Sequence, residues 1–577
     1  MAGTEADAES YQQAAKDSWS VFIRARFDAG PAGRSGRVAR LPQLEAELEL
    51  MHEFFAIAKQ NINSCASIAC GLPAEVLAII FAFAQESWPP KRLKSKQHDL
   101  GWIYATHVCA SWRKAALGTH TLWQKIDCIA LPAPMATDIL TRSGRLPLQL
   151  YADTENDTKA AIVFKTWMSW PVVRRASLLH IDDNFDYSSG HIPNLWFPIL
   201  EQSMPLMEDL SITFALEDGP EKLPDNLLAG AQPTLTNLYL QNCCLSNWGV
   251  LGGTLTKLSL HMDWLYDEYE SLPTMTELRS VFTRSTSLEH ISVENFYPKK
   301  EPNPPDPFTF YPTLTSLVFH FSLEGAMFES HYRAFWTQFN VPATTSFKLW
   351  AYAEVTEYDV ALDGFMDPVT RINNTILPAK ELLIGVLELT LWCTELPSAT
   401  LTPPHQLLYT GDSNHYTTRT IKGATSAIKY HLSHLPLESL VSIFVTPNAM
   451  MRFDNPEPDG GWLFKLSAAR AVRRISVYYT PCQSLLDDLL KKDANDGFAL
   501  FPLLDTMIFH HRPQAGKMEH QTSLDLVLLE LLSDRREHGA GIRELLVDRR
   551  MESWFIWSKV DREKLTKLTF FDSTFCL

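Results

Sequence analysis

"LTNLYLQNCCL", Leu235 to Leu245, decides how the long second part of this chain is read. Leu238 and Leu240 alternate with Asn237, Tyr239 and Gln241, the two-residue period of a strand with one apolar and one polar face. Leu235 sits three residues ahead, and Cys243 and Leu245 carry the pattern beyond the strand. The phrase returns. Leu255, Leu258, Leu260 and Leu265 repeat it, with Asp263 in the place of Cys243. Val386, Leu389, Leu391 and Leu396 repeat it with Thr394 there. The first three anchors alone recur at Met207-Leu210-Ile212, Leu288-Ile291-Val293, Leu314-Leu317-Phe319, Val472-Ile475-Val477, Leu504-Met507-Phe509, Ile542-Leu545-Val547 and Leu565-Leu568-Phe570. Consecutive starts at 207, 235, 255, 288 and 314 differ by 28, 20, 33 and 26 residues.

This phrase resembles the leucine-rich repeat, L-x-x-L-x-L-x-x-N/C-x-L, patchily over about residues 145–577. The resemblance implies an irregular α/β solenoid, a horseshoe in which no single repeat closes its own core and stacked neighbours close it jointly. Met275 to Phe282 and Ser523 to Leu532 suit its helices. "RSGRLPLQLYAD", Arg142 to Asp153, holds an alternating stretch at Leu146, Leu148 and Leu150. Residues 340–450, apart from the phrase at Val386, are the poor part of the match, and the Pro- and Asp-rich stretches Tyr297 to Pro312 and Arg452 to Trp462 read as loops. A mixed α/β domain without solenoid geometry is the competing reading. On the solenoid reading the polar face carries Tyr239, His261, Glu294, His320, Trp392, Tyr478, His510, Asp548 and Phe571, a mixture suited to binding a protein substrate.

Upstream the pattern changes to that of helices. Ser18 to Phe27 suits a short helix, and Gly30 to Arg40 reads as a linker, so residues 1–40 are expected to be a flexible segment. Leu41, Leu44, Leu48, Met51, Phe55, Ala58 and Ile62 follow at spacings of 3 and 4, a heptad seam over residues 41–67. Such a seam pairs with a second copy in a coiled coil or packs on the chain's next domain. "LPAEVLAIIFAFAQESW", Leu72 to Trp88, then opens a helix with Pro73 in its first turn and Val76, Ile79, Ile80 and Phe83 at helical spacing. After Pro89-Pro90 and the basic residues Lys91, Arg92, Lys94 and Lys96, a second helix is expected from near Gly101, with Ile103, Val108, Trp112 and Ala116 as its stripe and Gly118 as its stop. Leu122-Trp123 closes the unit.

Leu72-Pro73 opening a helix, "THVCASWR" in a second helix and "LW" shortly after resemble the F-box, in the F-box-like form common in fungi, over residues 68–128. The connection from Gln85 to Leu100 is longer than a compact F-box has. The resemblance implies docking on a Skp-type adaptor that joins a cullin–RING ubiquitin ligase, through Leu72, Pro73, Val76, Ile79, Ile80, Phe83, Val108, Trp112, Leu122 and Trp123. The chain is then a substrate receptor with residues 129–577 holding the target. A ligase-independent scaffold, dimeric through the heptad helix, is the alternative.

Composition bounds the rest. The chain has 577 residues, 46% hydrophobic, with 51 basic and 67 acidic side chains and a net charge of −16. That balance speaks against nucleic acid or an anionic membrane as partner. Residues 68–128 nevertheless carry seven Lys/Arg against four Asp/Glu, which favours an acidic partner there. Nine cysteines without a CxxC pair suit reduced thiols and a cytoplasmic or nuclear setting. His107-x-Cys109 lacks a second half at zinc spacing, so no metal or cofactor is expected. No secretory leader and no apolar run of membrane-spanning length is read, and Asn156-Asp157-Thr158 and Asn373-Asn374-Thr375 are then chance matches to a glycosylation triplet. The phosphate-loop, nucleophile-elbow, dinucleotide and HExxH motifs are lacking, so the chain is not expected to be an enzyme.

Overall fold

A computed structural model of the chain describes residues 2–28, 34–93, 97–153, 166–183, 196–214, 220–227, 234–263, 272–299, 301–302, 306–322, 335, 338–352, 378–394, 402–404, 406, 418–422, 432, 435–453, 461–511 and 521–572. Lys94, Lys96, Leu265, Leu396, both glycosylation triplets and the middle of each Pro- and Asp-rich loop lie outside the described residues. The chain is mixed α/β and divides into two units, Met1–Leu148 and Gln149–Leu577.

In the first unit, α1 (Ala2–Phe27) and α2 (Arg34–Ala66) are long helices. Most of the segment expected to be flexible, including Arg34 to Arg40, is thus helical. Its alanines and long polar side chains favour helix, and Arg26 ties α1 to Glu47 of α2 at 3.3 Å. α3 (Ala74–Ser87) begins after Pro73, with Glu75 in its first turn. Its Leu77 and Phe81, one helical turn apart, are buried. The second expected helix is broken. Gly101–His107 is a 3-10 helix, and α4 (Ala110–Gly118) starts only after Cys109, whose backbone is extended. Gly118 is the last residue of α4, and Thr119 ends it with extended backbone.

The long connection folds on itself. Lys91–Arg92 pairs antiparallel with His98–Asp99, and the Trp102 amide donates to the Trp88 carbonyl at 2.9 Å. Gly101 has φ +56, and a Cβ there would lie 2.5 Å from that carbonyl oxygen, so glycine is required. Residues beyond 128 stay with this unit, through α5 (Ala136–Arg142). His98 Nδ1 meets the Ala130 carbonyl at 2.7 Å, and the Arg142 guanidinium lies over the Trp123 ring at 4.7 Å. These contacts explain why the division falls after Leu148 and not after residue 128.

The second unit is built on a run of strands: β1 (Leu148–Asp153), β2 (Ala176–Asp183), β3 (Asp209–Phe214), β4 (Asn237–Gln241), β5 (Lys257–His261), β6 (His290–Glu294), β7 (Ser316–Ser322) and β8 (Ser346–Tyr352). They continue as β9 (Glu381–Ile384), β10 (Glu388–Trp392), β11 (Thr418–Lys422), β12 (Ser442–Val445), β13 (Arg474–Tyr478), β14 (Thr506–His510), β15 (Glu544–Asp548) and β16 (Lys567–Phe571). From β2 to β8 each strand pairs parallel with the next. Then β8 pairs with β11, β11 with β10, β10 with β9 and β9 with β12. From β12 to β16 the parallel sequence resumes. Among the described residues no pairing returns from β16 to β2, so the sheet is open.

The exception falls in the poor part of the match. The phrase at Val386 does form β10, but β10 runs antiparallel to both neighbours and so is not one more step of the parallel series.

Register is uniform in the first half. Leu210, Leu238, Leu258, Ile291 and Leu317 align across β3 to β7, as do Ile212, Leu240, Leu260, Val293 and Phe319, and all are buried. A second feature stitches the steps together. "TLT" precedes β4, β5 and β7, and both threonines donate backward. Thr234 and Thr236 bond the Met207 and Glu208 carbonyls at 2.7 and 2.9 Å. Thr254 and Thr256 bond Leu235 and Thr236 at 2.8 and 3.1 Å. Thr313 and Thr315 bond Thr286 and Glu289 at 2.9 and 3.0 Å. Asn242 ends β4 at φ 58 and donates to the Phe214 carbonyl and to Asp263 Oδ2, each at 2.7 Å. Helix α6 (Met275–Arg284) opens on a Thr274–Glu277 capping box and buries Met275, Leu278, Val281 and Phe282.

Candidate functional site

Two surfaces emerge, one in each unit. The first is the free side of α3. Val76 is 39% exposed, Ile79 58%, Ile80 40% and Phe83 67%, although Leu77 and Phe81 of the same helix are fully enclosed. Inward, Phe81 meets the Trp112 ring edge-on at 5.4 Å, and Gln85 Nε2 donates to the Leu122 carbonyl at 3.1 Å. Trp112 donates its indole N–H to the Ala69 carbonyl at 3.1 Å and is half-buried. Leu72 is half-buried, while Pro73 and Val108 are exposed.

Leu122 and Trp123 depart from the expected docking set. Both are enclosed, and Trp123 packs on Trp102 at 5.1 Å and donates to the Ala116 carbonyl at 2.9 Å. They hold the unit together and present no surface. Trp88, Leu93 and Tyr104 are exposed and were missed. Trp88 and Tyr104, 5.9 Å apart, come together only because Gly101 folds the connection back.

The heptad seam is also open. Leu41, Leu48, Phe55 and Ile62 are exposed, and Leu44 and Met51 half-buried.

The second surface is the polar face of the first half of the sheet. His261, Glu294 and His320 are register partners on β5, β6 and β7. Glu294 Oε2 lies 3.2 Å from His261 Nδ1 and 3.5 Å from His320 Nδ1. These two hydrogen bonds, the His261 one first, hold the Glu294 carboxyl down at about 2.

Aromatic groups extend the row on both sides. Tyr239 lies 4.9 Å from His261, and Trp350 stacks on His320 at 4.0 Å. Tyr151 and His180 adjoin each other at 5.9 Å. Burial first, then the charges of Glu294, Asp263 and Asp182, pushes the Tyr239 hydroxyl up. Tyr239, His261, Glu294 and His320 of the expected binding set are thus brought together.

The other five are not on a surface. Trp392, Tyr478, His510, Asp548 and Phe571 are all buried. His510 meets Ser476 Oγ at 2.8 Å and packs on Tyr478 and Phe571 at 5.6 and 5.4 Å. Asp548 is paired with Arg550. The physical reason is composition. Strands such as "SIFV" (β12) and "TMIFH" (β14) are apolar on both faces, and a parallel strand of that kind is covered on both. Sequence alternation alone assigns an outward side chain to solvent and misses the cover.

His180 and Trp350 were overlooked because their phrases start on Ala176 and Thr344 in place of leucine.

Among the described residues no group of three His, Cys, Asp or Glu is placed to hold a metal ion, and no helix is long and apolar enough to cross a membrane. Cys128, Cys243, Cys244, Cys393 and Cys482 are buried. Burial pushes the Cys243 and Cys244 thiols well up. No family model and no curated protein sequence matches the chain.

Proposed function

We propose that the chain is the substrate-recognition subunit of a Skp–cullin–F-box type ubiquitin ligase. The front helical unit acts as an F-box docking a Skp-type adaptor, and the strand region acts as a leucine-rich solenoid holding a protein target. The observation that carries this reading is α3, a helix apolar on both sides with only one side used by its own unit. Each such side chain, if buried, contributes about 1.5–3 kcal/mol of transfer free energy before the cost of association. The receptor performs no bond chemistry and works by holding the target near the transfer machinery. The setting is cytoplasmic or nuclear.

The test is affinity purification of the tagged chain from cells under proteasome inhibition, followed by mass spectrometry. Stoichiometric recovery of a Skp-type adaptor and a cullin is expected. Their absence contradicts the reading.

The second reading, a ligase-independent scaffold that dimerises through α2, is favoured by the open heptad seam. Sedimentation distinguishes it: a dimer that Leu48→Asp with Phe55→Asp converts to monomer supports it, and a monomeric wild-type chain rejects it.

A further inference from the structure

One oxygen of Glu294 is committed and the other is open. Both imidazoles converge on Oε2, and among the described residues no hydrogen bond reaches Oε1. The side chain is 39% exposed, at the centre of the ring-bearing row and not at its rim. Its orientation is fixed from both sides. His261 is held at its other nitrogen by Ser292 Oγ at 3.3 Å, and His320 is held by the Trp350 ring stacked upon it.

A carboxylate clamped in this way is already oriented, so a cation reaching it loses little of its attraction to reorganisation of the acceptor. The neighbouring charges favour a cation as well. Asp182 and Asp263 lie close enough to act, with Glu294, on the Tyr239 hydroxyl. Gln241 donates to Asp263 at 2.8 Å, which keeps that carboxylate beside the row. His261 and His320 stand on the strands either side of Glu294, and the row they share with Tyr239 and Trp350 carries flat rings against which a planar guanidinium can lie.

We infer that Glu294 is the charge anchor of the target-binding face and takes an arginine side chain from an extended segment of the bound protein. The inference rests on the reading of this face as the target-binding surface. Arginine is favoured over lysine because its planar fork can bond Oε1 while stacking on an imidazole.

The probe is a fluorescein-labelled heptapeptide, Gly-Ser-Arg-Gly-Arg-Ser-Gly, titrated with the full chain at low ionic strength and followed by anisotropy. Three chains are compared: wild type, Glu294→Gln and Glu563→Gln. The last removes the same charge from an exposed site outside the row. A loss of about tenfold for Glu294→Gln, with no change for Glu563→Gln, is expected for one charge-assisted hydrogen bond. A peptide with lysine in place of arginine should bind more weakly to wild type. Equal affinity of all three chains, or equal losses in both variants, overturns the inference, because binding then follows net charge alone.

The wild-type preparation is also tested for capture of a purified Skp-type adaptor. Capture without any Glu294 effect sinks only the anchor. A Glu294 effect without capture sinks the ligase reading and leaves the anchor standing.

Discussion

Helices α3 and α6 treat their apolar residues in opposite ways. In α6 the residues Met275, Leu278, Val281 and Phe282 all point into the unit, and Thr276, Ser280 and Thr283 face out. In α3 the inward side is equally apolar, yet Val76, Ile79, Ile80 and Phe83 remain on the outside. The lesson concerns the two units as a whole. The strand unit closes its elements against sequence neighbours, through aligned leucines, threonine bonds and Asn242. The front unit closes one side of α3 and leaves the other without cover among its described residues.

The comparison breaks most sharply under matched substitutions. Phe282→Ala should cost about 3–5 kcal/mol of stability, as expected for a large core side chain. Phe83→Ala should cost less than about 1 kcal/mol, because little is enclosed. Urea denaturation of the two variants reads both, and equal costs would erase the distinction. Asn242→Ala strands the Phe214 carbonyl and loses a residue tolerant of φ 58, for a loss of about 1–3 kcal/mol. The same assay applies. Thr256→Val keeps shape and removes one bond to the preceding step, at a cost of about 1 kcal/mol. A neutral result there would mean that the threonines do not help close the repeats.

The smallest effect is in acid. The Glu294 carboxyl is held below its ordinary value, so its contribution is present above about 4.5 and is lost as pH falls from about 4.5 to about 2. Glu294→Gln should lower the thermal midpoint slightly at neutral pH and flatten the acid limb of the profile in that window, so that variant and wild type converge toward pH 2.

Much of the strand unit was legible because leucine spacing is a direct record of which face is buried. All ten repeated phrases form strands, and the sequence also fixed attention on Met275 to Phe282 as helix. What escaped was pairing partner and cover. β10 carries a full set of anchors yet runs antiparallel, since the anchors encode a buried face and not a direction. β12 was missed although Leu440, Ile443 and Val445 repeat the phrase, because it lies in the stretch set aside as irregular. The "TLT" triplet was a readable signal that went unused.

At the front, the outward stripe of α3 was legible by periodicity, whereas the inward pair Leu77 and Phe81 was not. A helix apolar all round gives no sequence cue to which side its own fold takes. Leu122 and Trp123 were misjudged for the same reason: an apolar pair at the end of a small unit reads alike whether it faces a partner or its own core.

The most direct test of the account is capture of a purified Skp-type adaptor by the full chain and by the Val76→Asp, Ile80→Asp double variant. Wild type should retain the adaptor, and the variant should lose it while its urea transition stays where it was. Undiminished capture by a folded variant, or no capture by wild type, would contradict the assignment of the outer side of α3 to a partner.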